Sequence, residues 1–290
     1  MLQRRNTTAL KLAKHFYFGN YSLTLMVVAI FMILNILQSF LGPLGLLFYG
    51  AFLILTYSVQ VYYASFIPTI RDPEEMEDIA RGTALSDLLF SRIAEGAAFF
   101  LAFLVINAIF GLFIYLVLTA YVGDDFVELQ RISAALETAG PEERQALQSR
   151  LIEIILTPAL IVLAVGSFFS YVAIGVWGRM LKAQGFVEAF KRSFLLFWPK
   201  YWVKTFKLRY MLLVGGWILF ILLFLFLTWL AFMAIGFLFA AALHNYPELL
   251  AIVMFIFSTL VIHMVMYYLD LYSAGVAVFA DDIASGEADG

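Results

Sequence analysis

MLLVGGWILFILLFLFLTWLAFMAIGFLFAAAL, residues 211–243, holds no charged side chain over 33 positions. A helix rises about 1.5 Å per residue and a bilayer core is about 30 Å thick, so about 20 apolar residues are enough to cross it. This run exceeds that length and has no polar face to offer water. It therefore reads as a membrane span, with Gly215-Gly216 as a bend that accommodates the excess length. Five further apolar runs of sufficient length lie around it, at 21–41, 44–67, 93–121, 151–176 and 249–279, the last three with one acidic residue each. Gly42-Pro43 breaks the first two into a hairpin, and His244-Asn245-Tyr246-Pro247 turns the last two.

The whole chain agrees with this reading. It is 63% hydrophobic and 13% charged, with mean hydropathy +0.93, against about 45–50% and about 25% in soluble domains. Thirty Phe, fifteen Tyr and five Trp suit helix contacts and the headgroup boundary. The predicted fold is an all-α polytopic transmembrane bundle of about six spans, with basic amphipathic interfacial helices and a short extracytoplasmic helical hairpin. Residues 1–280 form one membrane domain, followed by an acidic flexible tail, 281–290. The first residues precede a span without a small-residue cleavage site, so no removable signal peptide is expected. Lacking cysteine, the chain has no disulfide, thiolate metal site or cysteine nucleophile.

Orientation follows from Lys and Arg, which are retained on the cytoplasmic side. Of 18 basic residues, only Arg131, Arg144 and Arg150 fall in the polar insert 123–150. The rest precede span one or lie between spans two and three or four and five. Both termini are thus predicted in the cytoplasm and the insert outside it. Within the insert, Asp124 and Asp125 start a helix and Gly140-Pro141 divides two short ones. Asp72-Pro73-Glu74-Glu75 reads as another helix start, ahead of span three. The net charge of −3, with basic residues beside apolar segments, argues against nucleic acid as a partner.

An internal repeat is visible. Residues 8–21, TALKLAKHFYFGNY, align without gaps on 188–201, EAFKRSFLLFWPKY, and more faintly on 83–92, TALSDLLFSR. Each precedes a pair of spans, so the unit would be a basic amphipathic helix feeding a hairpin. The segments 9–18, 84–92 and 189–198 would lie flat at the cytoplasmic surface. The stretch 184–194, QGFVEAFKRSF, followed by Trp198-Pro199-Lys200-Tyr201-Trp202, resembles a bacterial membrane family. That family is the membrane domain fused to some glycerophosphodiester phosphodiesterases, together with its stand-alone relatives. The resemblance covers some 25 residues and the six-span layout, and implies a bacterial cytoplasmic (inner) membrane. No phosphodiesterase domain is present to receive that enzyme's catalytic residues.

Ionisable groups inside a membrane are the first functional candidates, because a charge there costs about 2.5–3.5 kcal/mol even on the gentler insertion scale. Glu95 opens span three, and His263 and Asp270 share a stripe of span six with Met266, Tyr267 and Ser273. They read either as a cation or proton path, or as structural groups, with Asp270 paired to a base such as Arg179 and His263 bonded to a Tyr or a carbonyl. Lys11, Lys14, Lys191, Arg192, Lys200 and Lys204 are candidate contacts for lipid headgroups or a partner. Gly166 and Ser170, with Gly96, Gly111, Gly175, Gly178 and Gly215-Gly216, form small-residue patterns that allow close helix approach. No His-Glu-x-x-His, Gly-x-Ser-x-Gly or phosphate-loop motif occurs, and His15, His244 and His263 are scattered. No catalytic, cofactor or metal site is assigned. The expected function is a non-enzymatic protein organising membrane lipids, including anionic ones, or a membrane-protein partner. A transporter or channel component and an unrecognised lipid-modifying enzyme are the alternatives.

Overall fold

The protein is described from a computed structural model, covering residues 2–123, 126–242 and 246–286. Asp124, Asp125, His244, Asn245 and the last four residues of the expected tail fall outside these. The elements in order are α1 (Leu2–Gly19), α2 (Tyr21–Phe40), α3 (Gly45–Phe66), α4 (Glu75–Gly82), α5 (Leu85–Phe90), α6 (Ile93–Val122), α7 (Phe126–Thr138), α8 (Pro141–Leu181), α9 (Phe186–Ser193), α10 (Pro199–Thr205), α11 (Leu208–Ala242) and α12 (Pro247–Ser285). Tight 3-10 turns at Gly42–Leu44, Ile67–Thr69 and Phe194–Phe197 join some of them. No strand occurs among the described residues. The fold is an all-α bundle in which six helices (α2, α3, α6, α8, α11 and α12) are long and apolar enough to cross a membrane.

Where the sequence treats 1–280 as one domain, the structure groups it into two compact units, 1–101 with 173–290, and 102–172. The larger unit is organised on the C-terminal half of α12, against which α1, α2, α3, α10 and α11 all pack. Small residues make this possible. Ala274, Ala277, Ala280 and Ala284 are buried, a Cβ on Gly275 would sit 3.3 Å from the Ala9 Cβ, and one on Gly178 of α8 would sit 1.8 Å from the Ala277 carbonyl oxygen. Helices in lipid gain little from hydrophobic burial, so such close backbone approach is what holds them. On α1, Ala9, Leu12, Ala13, Phe16 and Tyr17 are buried at one-face helical spacing, while Lys11 and Lys14 are exposed. Asn20 ends α1 and caps α2, its Oδ1 accepting the Leu23 N–H at 3.0 Å while its Nδ2 donates to the Ala80 carbonyl at 3.2 Å.

In the smaller unit, Val122, Ile132 and Ile154 form an apolar cluster with Leu129, Leu136, Leu147 and Leu151. Arg150 ties it at the surface, donating to Glu128 and Glu153, each at 2.9 Å. Phe110 meets Phe169 edge-on at 5.1 Å.

Several boundaries differ from the sequence reading. The second half of the insert is not a separate helix: α8 begins at Pro141, with Glu142 and Glu143 in its first turn, and continues through Pro158 to Leu181. Proline at the helix start and acids near its positive end begin a helix that nothing then stops. The tail does not begin at Asp281, because α12 continues to Ser285 and ends on Gly286 at φ 86, with Asp281, Ile283 and Ala284 buried. The basic segment 188–200 is broken rather than continuous, since Trp198 is extended, as the residue before a proline tends to be. The segment 84–92 holds only the six-residue α5. Repeat partners nonetheless share burial at three places: Ala9 with Ala189, Ala13 with Ser193, and Phe16 with Leu196.

Candidate functional site

Glu95 sits in the first turn of α6 and is 4% exposed. Its Oε1 accepts the Gly185 N–H at 2.9 Å and the Arg92 guanidinium at 3.3 Å. Gly185 has φ +90, a conformation that other residues adopt only under strain, so its backbone is free to aim that N–H at the carboxylate. Behind Glu95, a Cβ on Gly96 would lie 2.4 Å from the Ile54 carbonyl oxygen, which sets α6 hard against α3. Glu95 thus joins α6 to the loop ahead of α9.

His263 is buried and fully engaged. Its Nδ1 faces the Thr259 carbonyl at 2.7 Å, so it carries the proton and donates; Nε2 then accepts from Asn35 Nδ2 at 3.1 Å. This is a hydrogen bond between α12 and α2, with both ring nitrogens satisfied. The shared stripe of His263 and Asp270 holds in part: Tyr267 is buried and Ser273 accepts the Trp217 indole N–H at 3.0 Å, but Met266 is 49% exposed and points away.

Asp270 does not pair with Arg179. That arginine lies instead against Asp281, Nε to Oδ1 3.5 Å, because the close approach at Gly178 and Ala277 sets the end of α8 beside 281 rather than 270. Asp281 is fully buried and also meets Lys182 Nζ at 3.0 Å, which contacts Asp282 as well. Burial opposes the charge of Lys182, but Asp282 and Asp281 outweigh it and hold the ammonium above its usual range. Lys207 donates to the Ile283 carbonyl at 2.7 Å. These contacts fasten the last turns of α12 to α8 and to the segment leading into α11.

Asp270 itself is half-buried and has no hydrogen bond or ion pair among the described residues. On α3, the buried Thr56 Oγ1, Gln60 Oε1 and Tyr63 hydroxyl also lack partners among the described residues. A buried polar group left unpaired costs about 1–3 kcal/mol, so three on one helix call for an explanation. Sequence reading missed them. The available signal was Gln60, a carboxamide in the second half of an otherwise apolar span.

A shallow depression of about 630 Å³ is lined by 184–188, Lys191, Arg192 and Leu195. Gln184 N–H donates to Glu188 Oε2 at 2.7 Å, and this bond, helped by Arg192, holds the Glu188 carboxyl below its usual 4.5. Arg192, a candidate headgroup contact in the sequence, is half-buried and already bonded. It donates to the Arg179 carbonyl at 2.6 Å and to Glu188. Lys11, Lys14, Lys191, Lys200 and Lys204 are exposed and make no ion pair among the described residues. Around the last three, Trp198, Val203, Phe206 and Leu208 are 56–73% exposed.

Of the small-residue positions, Gly96, Gly175 and Gly178 are close contacts, whereas a Cβ on Gly111, Gly166 or Gly215 would meet nothing within 4 Å. At Gly166, where a close approach with Ser170 was expected, nothing among the described residues comes that near. The fold defines a class, the multi-pass α-helical membrane protein. No family model, no curated protein and no solved structure matches the chain.

Proposed function

We propose that this is a non-enzymatic protein of a bacterial cytoplasmic membrane, with both termini inside, that gathers anionic lipid around its basic surface helices. The observation that carries the reading is the set of unpaired, exposed lysines on α1, α9 and α10, interleaved on α9–α10 with exposed aromatic and aliphatic side chains. A soluble surface would hide Trp198, Phe206 and Leu208. At a bilayer edge the rings enter the boundary region and the ammonium groups reach the phosphates. In α11, the most apolar 18-residue stretch has no buried residue, which suits a helix solvated by acyl chains. The distribution of Lys and Arg supports the orientation, and the resemblance of 184–202 to the membrane domain of glycerophosphodiester phosphodiesterases supports the setting. Each surface unit would precede a hairpin, as the aligned burial of α1 and α9 suggests for an internal repeat.

The test is identification of the lipid that remains with the purified protein. Enrichment of anionic lipid over the bulk membrane is expected. Lipid retained in the bulk proportion would contradict the reading.

A further inference from the structure

The unpaired groups of α3 and α12 belong together. Thr56, Gln60 and Tyr63 are spaced four and three apart, which places them on one face of α3, and α3 packs against α12. Two contacts fix the register. The Phe31 ring meets both Phe52, at 5.4 Å, and Tyr267, at 6.3 Å, and the Tyr63 hydroxyl lies 3.6 Å from where a Cβ on Gly275 would be. Asp270 lies between Tyr267 and Gly275, so it falls level with Thr56 and Gln60, between Phe52 and Tyr63. Thr56 and Tyr63 are about 10 Å apart along the helix axis, too far to hold one small ion jointly.

We propose that the α3–α12 interface encloses a file of internal water along Thr56, Gln60 and Tyr63, and that this file makes Asp270 a proton-binding site within the membrane. Buried water is the usual partner of polar groups left over by packing, and each molecule satisfies about three of them. Among the described residues no cation pairs with the carboxylate; the titratable groups of the elements packed there are Tyr57 and Tyr63 from α3, His263, Tyr267 and Tyr268 from α12, and Tyr17 from α1. His263 is already bonded through both nitrogens. The carboxylate takes its proton from hydronium in the file, giving the acid and a water molecule, and returns it by the reverse step. This site is independent of the lipid-facing lysines and goes beyond the function proposed for them.

Infrared difference spectroscopy of the full chain in nanodiscs tests it. In the wild-type minus Asp270→Asn difference, which cancels the bands of the other acids, a carboxylic acid C=O band should appear as pH falls and shift within the mixing time on transfer to D2O. In Thr56→Val/Gln60→Leu that band should persist while its D2O shift slows at least tenfold, because the file is interrupted. A difference with no titrating carboxylic acid band would overturn the proposal, as would a band whose exchange is unchanged in the double variant. Should Asp270→Asn fail to fold, the double variant decides alone: a fraction of the carboxylic acid band that exchanges more slowly than in the wild type is expected, and its absence would overturn the proposal.

Discussion

At the scale of single residues, what distinguishes structural from available groups is whether their bonds are already made. Glu95 and His263 drew attention as ionisable groups in apolar spans, and both are engaged in joining helices. Gly178 shows the same economy in packing. Gly178→Ala would drive a Cβ into the Ala277 carbonyl and should destabilise by about 1–3 kcal/mol, the range for overpacking. Gly166→Ala meets nothing within 4 Å and should be neutral or stabilise by up to about 1 kcal/mol through helix propensity. Thermal unfolding of the two variants in detergent compares them directly, and equal melting temperatures would rule out the close contact as a determinant of stability.

Among the elements, the short α9 is held by a charge. Glu188 holds the Gln184 N–H and Arg192 together. Its carboxyl is lowered in the folded protein, so the stabilisation is present above pH 4.5 and is lost as pH falls through the lower folded value. Below pH 4.5 the Gln184 amide should lose protection from hydrogen exchange while amides in the middle of α12 keep theirs. Unchanged protection of Gln184 down to pH 3 would contradict this. Helix boundaries were only partly legible in the sequence. The six spans were legible as long apolar runs, because a membrane core admits few charged side chains. Where α8 begins was hidden, since Gly140-Pro141 reads equally as a break between two helices or as the start of one long one. The last turns of α12 were misread as tail because Asp281 and Asp282 look solvated until Arg179 and Lys182 are brought beside them. Likewise Gln60 gave no hint of being unpaired, which depends on what α12 sets opposite it.

For the whole molecule, orientation rests on the asymmetry of Lys and Arg. Ser133 in the insert and Thr69 between spans two and three are both exposed, and the chain has no native cysteine. Ser133→Cys should therefore be labelled by an impermeant reagent only from outside the cell, and Thr69→Cys only from the cytoplasmic face. Labelling of both from one side would refute the arrangement. Gathering of anionic lipid by the basic surface of α9 and α10 is tested by Lys191→Gln/Lys200→Gln/Lys204→Gln, with Arg192 left in place because its bonds hold α9. Each lysine near an anionic leaflet contributes about 1 kcal/mol, so the triple variant should lose retained anionic lipid on the order of a hundredfold in partitioning while remaining inserted and folded. Native mass spectrometry of the inserted protein measures this. Anionic lipid retained at the wild-type level would contradict the claim.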